Sequence, residues 1–217
     1  MARRGQPRAA GPSVSGLSTE QEILHAAACL FCTEGYGSVS TYKIAAAARV
    51  SQATMYHYFS GKHAILLTLL LDTVKPSVGF AESLVDRTES PEARLWALCA
   101  FDTTLLVSGD ENLGSLYLLP ELGDERFESF HVERTRLRSV YNALVTQCPD
   151  VTAPMAADLS DLVFGLVESA ILRRRLDNAV DAAFAARTAD AALRVIGVGA
   201  VAAVEAARAG HAILTDG

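Results

Sequence analysis

STYKIAAAARVSQATMYHYFSGK, residues Ser40 to Lys62, reads as two short helices joined by a turn. Ser40 can cap a first helix whose apolar positions Ile44, Ala45 and Ala48 recur at helical spacing, and Ser51 can cap a second one just after a turn at Arg49 and Val50. Two capped helices this close together make a helix-turn-helix. In the second helix Met55 and Phe59 stand four apart and face the core, so Gln52, Ala53 and Tyr56, with Thr54 and His57 beside them, project outward. That outer face suits a DNA groove. Gln pairs bidentately with adenine, Thr bonds a base edge or touches a thymine methyl, and Tyr and Lys reach phosphate oxygens. Ala53 is small enough for close approach. Thr41 and Tyr42, in the first turn of the first helix, join the DNA-facing set. Lys62 adds a cation at a helix N-terminus, and both features attract phosphate.

Ile23 to about Leu71 resembles the DNA-binding domain of the TetR-type bacterial transcriptional repressors, through the elements ILHAAACLF, GYGSVSTYKIA, VSQATMYHYF and GKHAILL in that order. The resemblance covers about the first third of the chain. It implies a homodimer on a palindromic operator in double-stranded DNA, and a helical body that binds a small-molecule effector and so changes the spacing of two DNA heads. No catalytic residue, metal or cofactor is implied. One departure stands out: members often carry Gly where this chain has Arg49, and a φ > 0 turn costs a non-Gly residue about 1 kcal/mol.

The rest of the sequence fits that frame. With 217 residues and 50% hydrophobic content the chain can bury a sizeable core. Ala, Leu and Val abound, no run of alternating β-branched residues occurs, and the expected class is all-α. The formal net charge of −6 is unevenly spread: residues 1–62 hold Arg3, Arg4, Arg8, Lys43, Arg49 and Lys62 against Glu20, Glu22 and Glu34, so the remainder is strongly acidic. A basic end on an acidic body presents that end to phosphate. The N-terminal stretch has no apolar core of a secretory signal, and no uncharged run approaches the ~18 residues of a membrane span. Four cysteines, at 29, 32, 99 and 148, make no disulfide framework, and a cytoplasmic location with no membrane partner is expected.

The organisation expected from composition is a disordered basic arm over 1–17, a helix-turn-helix domain over 18–62 and a ligand-binding and dimerisation bundle over 63–217. Ser18 or Thr19 starts the first helix and Gly35 ends it. A helix from Gly61 stops at Pro76, and a short one follows over 77–90. Pro91 opens the helix EARLWALCAFDTTLLVS, a further helix lies within 111–119, and a long one runs from Phe127 to Gln147. The last two helices span about 153–175 and 182–209. Leu162, Leu166, Ile171, Val195, Val198 and Val201 offer more apolar face there than one thin body needs, which predicts a two-fold dimer.

Candidate effector-binding side chains are Trp96, Cys99, Phe101, Tyr117, Phe130, Tyr141, Phe164 and Glu168, and because they offer few charge partners the expected ligand is small and largely apolar. Two other function classes remain to be tested. Glu22-Ile-Leu-His25 and Glu128-Ser-Phe-His131 fit the Glu-x-x-His pattern of di-iron bundles, although both pairs fall opposite their helices' apolar stripes. A helical adaptor without a DNA role is the third class. Cys29 and Cys32 form a CxxC without two further ligands nearby, so they read as surface thiols.

Overall fold

The computed structural model describes residues 16–176 and 180–216, and among these residues every regular element is an α- or 3₁₀-helix. Residues 1–15, most of the expected arm, lie outside them. Three helices form the N-terminal unit: α1 (Thr19–Glu34), α2 (Thr41–Ala47) and α3 (Gln52–Tyr58). Ser18 caps α1 in a reciprocal capping box with Gln21. Ser40 accepts from the Lys43 N–H at 3.2 Å and Ser51 from the Thr54 N–H at 3.0 Å. The turn between α2 and α3 takes Arg49 to φ 54°, with the Val50 N–H returning to the Ala45 carbonyl and the Arg49 N–H to Ala46. This is a Schellman ending with Arg in the place that Gly fills at least cost. Ile23, Ala27, Phe31, Ile44, Met55 and Phe59 meet in the centre of the unit.

α4 (Lys62–Ser83) leaves this head and continues into the body. It does not stop at Pro76. Pro76 offers no N–H to the Asp72 carbonyl, but both residues lie on the exposed side where water can reach that carbonyl, while Val74, Ser77, Val78 and Ala81 carry the buried side onward. Burial of that stripe outweighs the loss of one bond, and the separate helix expected over 77–90 is the last two turns of α4 plus a loop. By length and mean hydropathy α4 would be long enough to cross a bilayer, yet Ile65, Leu66, Leu69 and Leu70 are core residues here.

α5 (Pro91–Val107), capped by Ser90, is the axis of the body. Residues 93–100 are all buried, so it has no wet face along that stretch. α6 (Glu128–Gln147), α7 (Ala153–Leu176), α8 (Phe184–Val195) and α9 (Ala200–Thr215) surround it, together with α4. The helix expected within 111–119 is a 3₁₀ segment, Leu113–Leu118, and two further 3₁₀ segments, Pro120–Gly123 and Glu125–Phe127, lead into α6. The single helix expected over 182–209 is two. Gly197, at φ 88°, ends α8 in a second Schellman motif, with the Val198 N–H on the Leu193 carbonyl and the Gly197 N–H on Arg194. α9 then packs on α5 so closely that a Cβ at Gly210 would stand 2.5 Å from the Trp96 ring.

Candidate functional site

The outward face of α3 is assembled as its sequence spacing requires. Met55 is fully buried, while Gln52, Ala53, Tyr56 and His57 are exposed and Thr54 is half-buried, its hydroxyl 2.8 Å from that of Ser51. Tyr56 (51% exposed) lies beside α2, its hydroxyl 3.2 Å from that of Thr41, so the two helices share one polar edge. Tyr42, at 69% exposed, extends that edge from α2. Tyr58 is exposed as well, edge-on to His57 at 5.4 Å, and belongs to the same surface; its place on a short helix next to His57 was the signal that sequence reasoning passed over.

Lys62 is placed differently from its expected role. Its ammonium donates to the Tyr36 carbonyl at 2.9 Å and the Val39 carbonyl at 3.1 Å, and stands 4.3 Å from the centre of the Tyr36 ring. It clamps the turn between α1 and α2 to the start of α4 and does not point outward to phosphate. Lys43 pairs with Glu34. Over residues 16–62 three cations face three acids, so the basic excess of the N-terminal end resides in Arg3, Arg4 and Arg8, outside the described residues.

The body holds a cavity of about 130 Å³. α4 contributes Asp72, Thr73, Val74 and Ser77, α5 contributes Asp102, Leu105 and Leu106, and the 108–117 segment, α6 and α7 complete the wall. Of the eight expected ligand residues, Tyr117, Phe164 and Glu168 line it. The other five are elsewhere for identifiable reasons. Trp96 points to the C-terminal helices, donating to Asp190 at 2.8 Å and packing on His211. Phe101 stacks on Phe80 at 4.2 Å between centroids, Phe130 packs behind Tyr117, and Cys99 is core. Tyr141 lies one layer out, its hydroxyl donating to Asp102 Oδ2 at 2.7 Å.

The wall is more polar than expected. The Thr73 and Tyr117 hydroxyls are 2.7 Å apart, and Arg134 pairs with Glu168 at 2.6 Å while facing the Tyr117 and Phe164 rings. Asp102, 3% exposed, has one oxygen without a protein partner, and burial pushes its carboxyl up to about 6. Arg174, the middle of the Arg173–Arg175 run, donates to the carbonyls of Leu106, Ser108, Gly109, Asp110 and Glu111, holding the cavity's loop in place. The other side of that loop meets α1. The Cys29 and Cys32 thiols both lie near Glu111, and burial raises Cys32 to about 11, which leaves it an inert thiol at neutral pH.

The di-iron pattern is not gathered. His25, Glu128 and His131 are exposed, the His131 ring bonds the Leu122 carbonyl at 2.7 Å, and among the described residues no group of three or more His, Cys, Asp or Glu could hold a metal.

Comparison with known proteins agrees with this architecture. Residues 23–69 match the model for bacterial regulatory proteins of the tetR family. A 71-residue segment is 38% identical to the uncharacterised HTH-type transcriptional regulator YdeS of Bacillus subtilis (strain 168), spanning 33% of this chain and 32% of that protein. The fold of the ketosteroid transcriptional regulator KstR2 of Mycobacterium tuberculosis is similar at 18% identity, covering 87% of this chain and 96% of that one with a TM-score of 0.67. The crystal structure of Mycobacterium smegmatis AmtR superposes with a TM-score of 0.85 at 40% identity, over 94% of this chain and 98% of that one. Identity at that level along the whole length, on a helix-turn-helix head with an uncommitted polar face, makes this chain a member of the TetR family of bacterial transcriptional regulators.

Proposed function

We propose that this DNA-binding regulator is a homodimeric repressor whose two α3 helices read a palindromic operator and whose cavity takes a small effector that releases it. The observation that carries the reading is α4: it starts in the head at Lys62, in contact with the α1–α2 turn, and its Asp72–Ser77 turn forms one wall of the cavity. A ligand that favours one position of that turn therefore biases the head, and a near-complete switch needs about 10⁴-fold preference between the two states. The loop held by Arg174 gives a second connection, from the cavity to α1.

Gln52, Ala53, Thr54 and His57 are the base-facing candidates, with Thr41, Tyr42 and Tyr56 at the backbone. Dimerisation uses exposed apolar side chains of the C-terminal helices: Met155, Leu162 and Leu172 on α7, and Val195, Val201 and Val204 along α8 and α9. Ile171 and Val198, counted earlier for this role, are buried within the chain. Two heads on a two-fold axis require half-site centres about 34–36 Å apart, or a multiple. The protein acts in the cytoplasm, where bacterial DNA lies.

The test is capture of genomic fragments by the purified protein followed by anisotropy titration on the enriched site. Gln52→Ala should relax preference at one base pair by about 1–3 kcal/mol, while Tyr56→Phe should weaken all sequences alike. Unchanged binding and base preference in the double variant would overturn the assignment of α3, and a monomeric mass at micromolar concentration would overturn the dimer.

A further inference from the structure

The cavity's polar groups specify a ligand charge. Of the four carboxylates in its wall, Glu168 is paired with Arg134, Asp72 is exposed with Lys75 beside it and Glu111 turns to the Cys29 thiol of α1, whereas Asp102 is buried with no cation acting on it. The second wall cation, Arg174, is committed to five loop carbonyls. Asp102 is the most constrained of the four. It is the deepest, with one oxygen accepting from Tyr141 and the other, Oδ1, unpartnered, and the Ser77 hydroxyl from α4 bears on the same carboxyl. A buried acceptor left without a donor costs about 1–3 kcal/mol, more if ionised, so a molecule that fills this space favourably must bring one.

Resting on the reading of this cavity as the effector site, we infer that its ligand is a small organic cation whose N–H donors dock on Asp102 Oδ1 and whose apolar part lies against Leu105, Leu137 and Val167. An anion would meet the buried carboxylate of Asp102 with no cation to offset it. A wholly apolar molecule would seal Oδ1 away from any donor. A metal ion would find no cluster of three or more ligating side chains among the described residues. At about 130 Å³ the cavity is close to the ~150 Å³ that takes a benzene, so the ligand is of single-ring size.

Three probes of equal size separate these outcomes on the full-length chain: benzylamine, benzyl alcohol and benzoate, titrated by ligand-detected NMR at pH 7.5. The expected order is benzylamine at least about tenfold tighter than benzyl alcohol, with benzoate not binding. Asp102→Asn should bring benzylamine down to the level of the alcohol. Tyr141→Phe, which leaves the carboxylate in place and frees its second oxygen, should keep or strengthen the preference for the amine. Equal binding of amine and alcohol, or an amine preference that survives Asp102→Asn or vanishes in Tyr141→Phe, overturns the inference. The series on the unaltered protein decides the charge preference whether or not either variant folds. If benzoate or benzyl alcohol binds and the amine does not, the chemistry is wrong while the cavity stands as a ligand site; if none binds, both readings fail.

Discussion

Lys62→Met separates two roles for one side chain. In the structure the ammonium makes two charge-assisted hydrogen bonds to the Tyr36 and Val39 carbonyls, at 2.9 and 3.1 Å, and covers the Tyr36 ring. Bonds to charged groups contribute roughly 1.5–3 kcal/mol each when well buried, and a partly exposed cation–π contact about 0.5–1. Lys62 is only half-buried, so solvent competes for its protons, and a net loss of about 2 kcal/mol is expected. For a chain of this size that lowers Tm by roughly 4–8 °C. Met keeps most of the apolar stem, so the loss reports the ammonium. The check is thermal unfolding by circular dichroism, alongside operator affinity measured at several salt concentrations. A clamp predicts a lower Tm with an unchanged salt slope. An unchanged Tm with a slope reduced by about one would show that Lys62 contacts phosphate and refute the assignment.

Further outcomes follow from other features. Arg49→Gly relieves the φ 54° strain and should stabilise by up to about 1 kcal/mol, less what the freer unfolded chain takes back; a fall in Tm would contradict it. Asp102 has a raised folded-state value, so its contribution is fully present below the ordinary carboxylate range and is lost as pH rises through about 6. Asp102→Asn should therefore gain on the parent protein between pH 4 and 7, by on the order of 3 kcal/mol at most, and a pH-independent difference between the two melting curves would refute this. Gly210→Ala forces a Cβ against the Trp96 ring and, at 3.0 Å, the Ala93 carbonyl, and should cost about 1–3 kcal/mol in urea unfolding; a neutral result would mean α9 is free to shift. Removing residues 1–15 takes away Arg3, Arg4 and Arg8, and should flatten the salt dependence of DNA binding by up to about three units per head, whereas an unchanged slope would place the phosphate contacts elsewhere.

What could be read from the sequence was what local chemistry decides. Ser40 and Ser51 announce their helices because a cap acts within three residues, and Met55 and Phe59 orient α3 because four residues return to the same side. The misreadings share one cause, the influence of distant residues. Pro76 continues a helix because the body buries the residues around it, and Lys62 turns inward to carbonyls more than twenty residues earlier. α5 is buried on all sides, so its periodicity could not say that Trp96 faces α8 and α9 while Asp102 faces the cavity. Two signals were present and unused: the Gly197-Val198-Gly199 spacing after Arg194, which marks a helix end, and a lone Asp in the apolar run LWALCAFDTTLLV.

The position of α5 also sets an order of events during synthesis. Its partners α8 and α9 lie at residues 184–195 and 200–215, so the axis of the body leaves the ribosome well before the helices that cover it. At 5–20 residues per second the wait is on the order of ten seconds. The contacts among α1, α2 and α3 are local and close first. The nascent chain thus carries an assembled DNA-reading head above an open, apolar α5, and α9, bringing Gly210 under Trp96, is the last of the described helices to close over it.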